Sequence, residues 1–122
     1  MGNPKALAYN EPRHVGFVVD NGGRYPVQYN MDITFEYVDN YPVRLNNTVE
    51  ERHVTLAFLR DNYPNGKSTV FTGMAVLKPG EQLDRPYGRE VALSKIIHNQ
   101  LVMSPEIEAR FWAEFYAAEQ LV

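Results

Sequence analysis

Two arginines and a tyrosine lie close together where a predicted strand gives way to a predicted helix. Arg85, Tyr87 and Arg89 follow a turn at residues 78–81. Backbone N–H groups in the first turn of a helix lack intrahelical partners and carry the positive end of the helix dipole. Such a helix start favours phosphate or carboxylate, and two guanidinium groups would reinforce that preference. The spacing therefore predicts an anion-binding pocket, with the Tyr87 ring as a face for a base or sugar.

Two further residues complete the candidate ligand-binding set. Lys78 stands at the turn before the helix, and Asn99 stands near the far end of the predicted helix. A simpler interpretation of the two arginines is also open. Arg85 would pair with Asp84 or Glu81, and Arg89 would lie along the helix surface, so that both make only exposed ion pairs of little energetic worth.

Patterns for catalysis and metal binding are missing from the sequence. There are no cysteines, which excludes disulfides, thiol catalysis and zinc sites built on cysteine. Residues 66–68, Gly-Lys-Ser, lack the earlier glycine of a phosphate-binding loop, because Asp61 stands at that position. The histidines 14, 53 and 98 lie on different predicted elements without the spacing of a metal-binding pair. We therefore expect no enzyme, no metal and no cofactor, and an enzyme acting on nucleotides would require a histidine to reach the same pocket.

The composition is that of an ordinary globular protein. The 122 residues are 44% hydrophobic and 22% charged, which suits a single domain over residues 1–122, with residues 1–13 as a loosely ordered arm. The net charge of -3 disfavours general binding of nucleic acids. No segment has the pattern of a signal peptide or a membrane span, so we expect a cytoplasmic protein.

The predicted fold is α+β, with an antiparallel sheet of about four strands packed against two C-terminal helices. Apolar residues alternate with polar ones from Val27 to Tyr37, which is the period of a half-buried strand. Residues 39–50 contain a proline and several Asn and Asp residues, so we predict an irregular surface connection or a mobile lid there. The two predicted hairpins join residues 14–20 to 27–37 through a turn at 21–23, and 52–60 to 68–77 through a turn at 61–66 with Asn65 and Gly66 at its tip.

The two helices should lie on the sheet. The first is predicted from about Pro86 to Val102 with Asp84 as its cap, and the second begins at Ser104, a hydroxyl cap followed by a proline. The second helix carries more large aromatic side chains than one small sheet readily covers, which predicts a homodimer or a higher homo-oligomer. A fully internal aromatic core is the alternative. The aromatic residues concerned are Phe111, Trp112, Phe115 and Tyr116.

The segment from Phe71 to Lys95, about a fifth of the chain, resembles the strand, loop and GR-x-x-A helix of many small phage and prophage proteins. Among these, it is similar to the phage anti-defence sponges that block Thoeris signalling by sequestering cyclic ADP-ribose isomers without cleaving them. The resemblance implies a small α+β oligomer in the host cytoplasm that binds a phosphorylated nucleotide between subunits. The alternative is a phage inhibitor that binds another protein, as anti-CRISPR proteins do, through a tyrosine-rich sheet.

Overall fold

A four-stranded antiparallel sheet followed by two helices forms the fold, as the sequence predicts. The computed structural model describes residues 11–20 and 25–120. The strands lie in the sheet in the order in which they occur along the chain. The elements are β1 (Arg13–Val19), β2 (Val27–Leu45), β3 (Thr48–Asn62), β4 (Ser68–Val76), α1 (Arg85–Asn99) and α2 (Pro105–Glu119).

Both predicted hairpins are present. Val19 pairs with Val27 at the closed end of β1 and β2, although the predicted turn at residues 21–23 falls outside the described residues. Asn62 pairs with Ser68 at the closed end of β3 and β4. The turn between them places Gly66 at a φ of 85°, a left-handed conformation that glycine adopts without strain.

The prediction of an irregular connection or lid over residues 39–50 is wrong. β2 continues to Leu45 and β3 begins at Thr48, so the two strands form a long hairpin with Asn46 and Asn47 at its tip. Asn46 has a φ of 55°, which asparagine tolerates better than most residues. Pairing of β3 with β4 stops at Val54. Residues 39–53 therefore extend beyond the rest of the sheet as a two-stranded arm, which we call the β2–β3 arm.

Both helices begin at the caps predicted from the sequence. The Asp84 carboxylate accepts a hydrogen bond from the Tyr87 N–H at 3.0 Å, and the Ser104 hydroxyl accepts one from the Ile107 N–H at 3.3 Å. A proline stands at the second position of α1 and at the first position of α2, where its missing N–H costs nothing. α1 ends at Asn99, three residues earlier than predicted. Neither described helix combines the length and the apolar character needed to cross a membrane.

The helices cover one face of the sheet. α1 packs on β3 and β4, and α2 packs on β1. α1 approaches β4 so closely that a Cβ atom on Gly73 would lie 2.2 Å from the carbonyl oxygen of Ala92, so this contact depends on glycine. Side chains from all six elements fill the layer between the helices and the sheet, among them Val15, Met31, Ile33, Phe35, Leu59, Ala75, Leu93, Ile96, Phe111 and Phe115.

The aromatic residues of α2 divide into two pairs. Phe111 and Phe115 are fully buried within the chain, whereas Trp112 is partly buried and Tyr116 is 41% exposed. The Trp112 and Tyr116 rings stack with their centroids 5.8 Å apart. The aromatic surplus that predicts an oligomer is therefore limited to these two rings, and the homo-oligomer stays a prediction.

The first residue of β1 is a buried arginine, which the sequence does not predict. Arg13, the last residue of the predicted N-terminal arm, starts the strand and is buried. Residues 1–10 of that arm lie outside the described part of the chain. Arg13 pairs with a carboxylate of α2, as described below.

Candidate functional site

Arg85 stands at the start of α1 with its guanidinium over the Tyr37 ring, 4.6 Å from the ring centroid. Within the described residues it makes no ion pair. The two carboxylates that could have paired with it have other partners: Asp84 caps the helix, and Glu81 accepts a hydrogen bond from the Lys78 N–H at 2.7 Å. The simpler interpretation, in which Arg85 pairs with Asp84 or Glu81, therefore does not describe this helix start.

Arg89 belongs to a partly buried ionic cluster. Its Nε donates to Glu119 Oε1 at 2.9 Å, and Arg13 Nε donates to Glu119 Oε2 at 2.7 Å. Arg89 Nη1 also donates to the Tyr37 hydroxyl. Only 3% of the Arg13 side chain and 17% of the Arg89 side chain are exposed. We call Arg13, Tyr37, Arg89 and Glu119 the arginine cluster.

The arginine cluster holds its charges in place. Both guanidinium groups lie over the Phe35 ring, with their central carbons 5.3 and 5.9 Å from its centroid. Burial acts to lower the pKa of Arg89, but the hydrogen bond to Tyr37 and the charge of Glu119 outweigh it, so the pKa is raised. Arg89 is therefore neither the surface residue of the simpler interpretation nor a guanidinium with all of its donors open to a ligand.

A narrow cleft lies beside the start of α1, between the helix, the loop before it and the sheet. Arg85 and Tyr87 line this helix-start cleft, whose cavity volume is about 80 Å³. Typical ligand sites enclose roughly 300–1,000 Å³. Its lining also includes three carboxylates against one arginine, which makes it a poor place for a phosphate group. The carboxylates are those of Asp39, Glu81 and Asp84.

One histidine does reach the helix-start cleft. His53 lines it, and its Nδ1 lies 3.1 Å from Asp39 Oδ1. The enzyme alternative requires such a convergence, so this geometric requirement is met. A carboxylate that orients an imidazole supplies an acid–base group but no nucleophile. Among the described residues that line the cleft, Thr55 carries an aliphatic hydroxyl group, and none is a serine or a cysteine.

A larger and more basic depression adjoins the cleft. The side chains of Arg52, Lys78 and Lys95 line it together with the Tyr87 ring, and its cavity volume is about 400 Å³. We call it the basic groove. Among the described residues, Glu81 supplies its one lining carboxylate, which accepts a hydrogen bond from the Lys78 N–H. Apolar side chains complete the lining at Leu45, Val76, Leu77, Pro79 and Val91.

Three elements bring the cations of the basic groove together. Arg52 comes from the β2–β3 arm, Lys78 from the loop after β4, and Lys95 from α1. Lys95 Nζ also donates to the Met74 carbonyl at 2.6 Å, which fixes its position at the edge of β4. A cation from each of three elements gives the groove a local positive charge in a protein whose net charge is -3.

The structure separates the five predicted site residues. Lys78 and Tyr87 share the basic groove, Arg85 lines the helix-start cleft with Tyr87, and Arg89 lies in the arginine cluster. Asn99 is exposed at the end of α1 and lines a shallow depression that also includes Tyr87 and Lys95. Tyr87 and Val91 each line the cleft, the groove and the depression.

Two groove residues were missed in the sequence interpretation. Lys95 follows Tyr87 by eight positions, with Val91 between them, and this spacing of four places all three on one face of a helix. This spacing in the sequence is sufficient to place Lys95 beside Tyr87. Arg52 was placed at a strand end, but its approach to Lys78 depends on the β2–β3 arm, which the sequence did not reveal.

The described part of the chain holds no group of three or more histidine, cysteine, aspartate or glutamate side chains arranged to bind a metal ion. No protein-family model matches this chain, and the comparisons with curated proteins and with solved structures found no match. The chemistry of the surface is therefore the basis for a function.

Proposed function

We propose that this protein binds and sequesters a small phosphorylated nucleotide in the basic groove without cleaving it. The observation that carries the proposal is the convergence of Arg52, Lys78 and Lys95 on one depression beside the Tyr87 ring. The groove's volume of about 400 Å³ lies within the roughly 300–1,000 Å³ typical of ligand sites. The helix-start cleft, at about 80 Å³, is too small for a nucleotide.

The lining of the groove suits the two parts of a nucleotide. Phosphate groups bind guanidinium and ammonium donors, which Arg52, Lys78 and Lys95 supply. A base or a ribose packs on an aromatic or aliphatic surface, which Tyr87 and Val91 supply. Tyr87 is 60% exposed, so its ring is available to a ligand.

The resemblance of residues 71–95 to phage anti-defence sponges gives the ligand a more specific identity. Lys78 and Tyr87 fall within that segment and in the basic groove. A cyclic ADP-ribose isomer carries a diphosphate, a base and two riboses, which matches a groove with cations on one part and apolar side chains on another. The proposed role is therefore anti-defence in the host cytoplasm, by removal of such a signal.

Isothermal titration calorimetry with ADP-ribose and cyclic ADP-ribose isomers tests this proposal. We expect Lys78→Glu and Tyr87→Ala each to weaken binding about tenfold, equivalent to about 1.4 kcal/mol. Lys67→Glu is the matched control, because Lys67 lies in the turn between β3 and β4 and lines neither the groove nor the cleft. Binding should also weaken as salt concentration rises, because ions screen the attraction between the cations and phosphate.

Two results would count against a nucleotide in the groove. One is the absence of heat from wild-type protein with every member of the panel at millimolar ligand. The other is an equal loss of affinity in Lys67→Glu and Lys78→Glu, which would show a general effect of net charge. Recovery of unchanged ligand after incubation, measured by mass spectrometry, separates sequestration from an enzymatic reaction that uses His53.

The face of the sheet opposite the helices favours a second candidate, an inhibitor that binds another protein. Leu56 pairs with Met74 there, and Phe58, two residues further along β3, lies on the same face. All three side chains are only partly buried. The expectation of a tyrosine-rich surface needs revision, because Tyr29 packs on the core with its ring stacked on Phe17 at 5.0 Å. Native mass spectrometry of the protein purified from its host would show whether a nucleotide or a protein accompanies it.

A further inference from the structure

Arg52 is an unusual residue of the basic groove because, in the described part of the chain, its Nε has no hydrogen-bond partner. Only 14% of its side chain is exposed, and its Nη2 donates to Glu50. Its Nε is buried and makes no hydrogen bond with any of the described residues. A buried donor without an acceptor is unfavourable, by about 1–3 kcal/mol, and such groups are few in folded proteins.

Glu50, the ion-pair partner of Arg52, is partly exposed to solvent. Glu50 lies two residues earlier on the same strand, and 46% of its side chain is exposed. Both residues belong to the β2–β3 arm, where Arg52 pairs across with Tyr41 and Glu50 with Val43. An ion pair of this exposure is worth little, so a competing anion can replace the carboxylate at modest cost.

We propose that Glu50 occupies Arg52 in the ligand-free protein and that a phosphate of the ligand displaces it, an inference that rests on the nucleotide-binding function proposed above. Carboxylate and phosphate oxygens accept hydrogen bonds from the same guanidinium donors. Nε and one Nη of arginine form one edge that a phosphate can contact with two oxygens. Contact along that edge would give the unpartnered Nε an acceptor, which Glu50 does not provide.

This exchange of partners makes Glu50 an internal competitor of the ligand. The carboxylate neutralises Arg52 while the groove is empty, and it leaves Lys78 and Lys95 as the first cations that an approaching phosphate meets. Groups without negative charge cannot compete for Arg52 in this way. Glu50 therefore sets the affinity of the groove for phosphorylated ligands, which must displace it from Arg52, while a neutral nucleoside is unaffected by it.

Neutralising Glu50 is the direct test, with ADP-ribose and inorganic phosphate as the probes in calorimetry. We expect Glu50→Gln to bind both probes about two- to fivefold more tightly than wild type, the range that an exposed ion pair is worth. Glu51→Gln is the matched control, because it makes the same change of net charge at the next residue, whose carboxylate forms no ion pair with Arg52 among the described contacts. We expect its affinity to stay within about 1.5-fold of wild type, since screened charges that make no contact have small effects.

A double-mutant cycle tests whether the effect of Glu50→Gln on affinity depends on Arg52. In an Arg52→Gln background, Glu50→Gln should no longer change the affinity, because the two residues act through one contact. Nitrogen-15 NMR gives a readout that a change in net charge would not move: the Arg52 Nε–H resonance should shift when ADP-ribose is added to wild-type protein.

The outcomes separate this inference from the function on which it rests. If wild-type protein binds ADP-ribose but Glu50→Gln and Glu51→Gln bind it equally well, the exchange of partners is wrong and the nucleotide site stands. A Glu50→Gln gain that persists in the Arg52→Gln background would also overturn it. If neither wild-type protein nor any variant binds either probe, both the inference and the proposed function fail.

Discussion

The arginine cluster and the basic groove both draw on side chains of α1, yet they treat positive charge in opposite ways. In the cluster, each oxygen of Glu119 accepts a hydrogen bond from a different arginine, and Tyr37 accepts another. In the groove, Arg52 is paired with the half-exposed carboxylate of Glu50, and Lys78 and Lys95 form no ion pair with any of the described residues. The first arrangement satisfies its charges within the chain, whereas the second leaves positive charge for a ligand.

The difference shows that local sequence does not decide whether an arginine binds a ligand or supports the fold. Arg89 and Glu119 are 30 residues apart, and Arg13 and Glu119 are 106 residues apart. Nothing in the spacing of Arg85 and Arg89 indicates that a carboxylate from the end of α2 reaches only the second of them. Whether an arginine supports the fold therefore depends on whether a carboxylate distant in the sequence, here Glu119, reaches it.

Removing the shared carboxylate should have the largest effect on stability. Glu119→Ala removes the acceptor that Arg13 and Arg89 share, and breaking a buried ion pair from one side costs up to about 3–5 kcal/mol. Urea denaturation would measure the change in the free energy of unfolding. Glu114→Ala, on the same helix, is the control and should cost less than about 1 kcal/mol, because an exchange to alanine is mild within a helix. A loss below about 1 kcal/mol in Glu119→Ala would show that the cluster contributes little to the fold.

Local patterns were sufficient to predict most of the fold. Alternation from Val27 to Tyr37 identified the central strand, and Met31, Ile33 and Phe35 are buried as that alternation requires. The Asp84 and Ser104 caps located both helix starts, because capping depends on residues a few positions apart. Each of these features depends only on residues that are close together in the sequence.

The β2–β3 arm was missed because its turn residues conceal a period-two pattern. Tyr41, Val43 and Leu45 alternate with polar residues, but Pro42 and two asparagines at the tip indicate a loop. A strand that has a neighbour on only one side tolerates proline, since its other edge forms no ladder. The groove could not be predicted without the arm, because Arg52 meets Lys78 only through the geometry of the long hairpin.

The two arginines at the start of α1 should separate stability from binding. The sequence alone predicts that Arg89→Ala weakens binding of a phosphorylated ligand by about 1.5–3 kcal/mol with little loss of folding. The arginine cluster replaces the expected small loss of folding with a loss of unfolding free energy of about 1.5–3 kcal/mol, because hydrogen bonds between charged groups are broken. Arg85→Ala removes only a contact with the Tyr37 ring and should cost less than about 1 kcal/mol.

Urea denaturation and calorimetry on the same two variants distinguish these contributions. If both variants are folded and bind the ADP-ribose panel as wild type does, the helix start is removed from the ligand site and the basic groove is left. If Arg89→Ala is as stable as wild type, the cluster is not the structural unit that its hydrogen bonds indicate.

The aromatic residues of α2 show the same contrast between groups satisfied within the chain and groups left at the surface. The smallest effect that we predict is on the association of two copies of the chain. Phe111 and Phe115 are buried within the chain, whereas Trp112 and Tyr116 form a stacked pair that stays partly exposed. We expect a second copy to cover this pair, because burying apolar surface stabilises an interface. Trp112→Glu should weaken the dimer about tenfold, or about 1.4 kcal/mol, since a carboxylate at an apolar contact loses its hydration.

Sedimentation over a range of concentrations measures that change in assembly. Ala113→Glu is the control, because Ala113 is exposed next to Trp112 on α2 and is not part of the aromatic pair. It should sediment as wild type does, and circular dichroism would confirm that both variants keep their helices. Wild-type protein that sediments as a monomer at high micromolar concentration would contradict the dimer. In that case the Trp112 and Tyr116 rings serve only to cover Phe111 and Phe115, against which Trp112 packs edge to face at 5.4 and 5.8 Å.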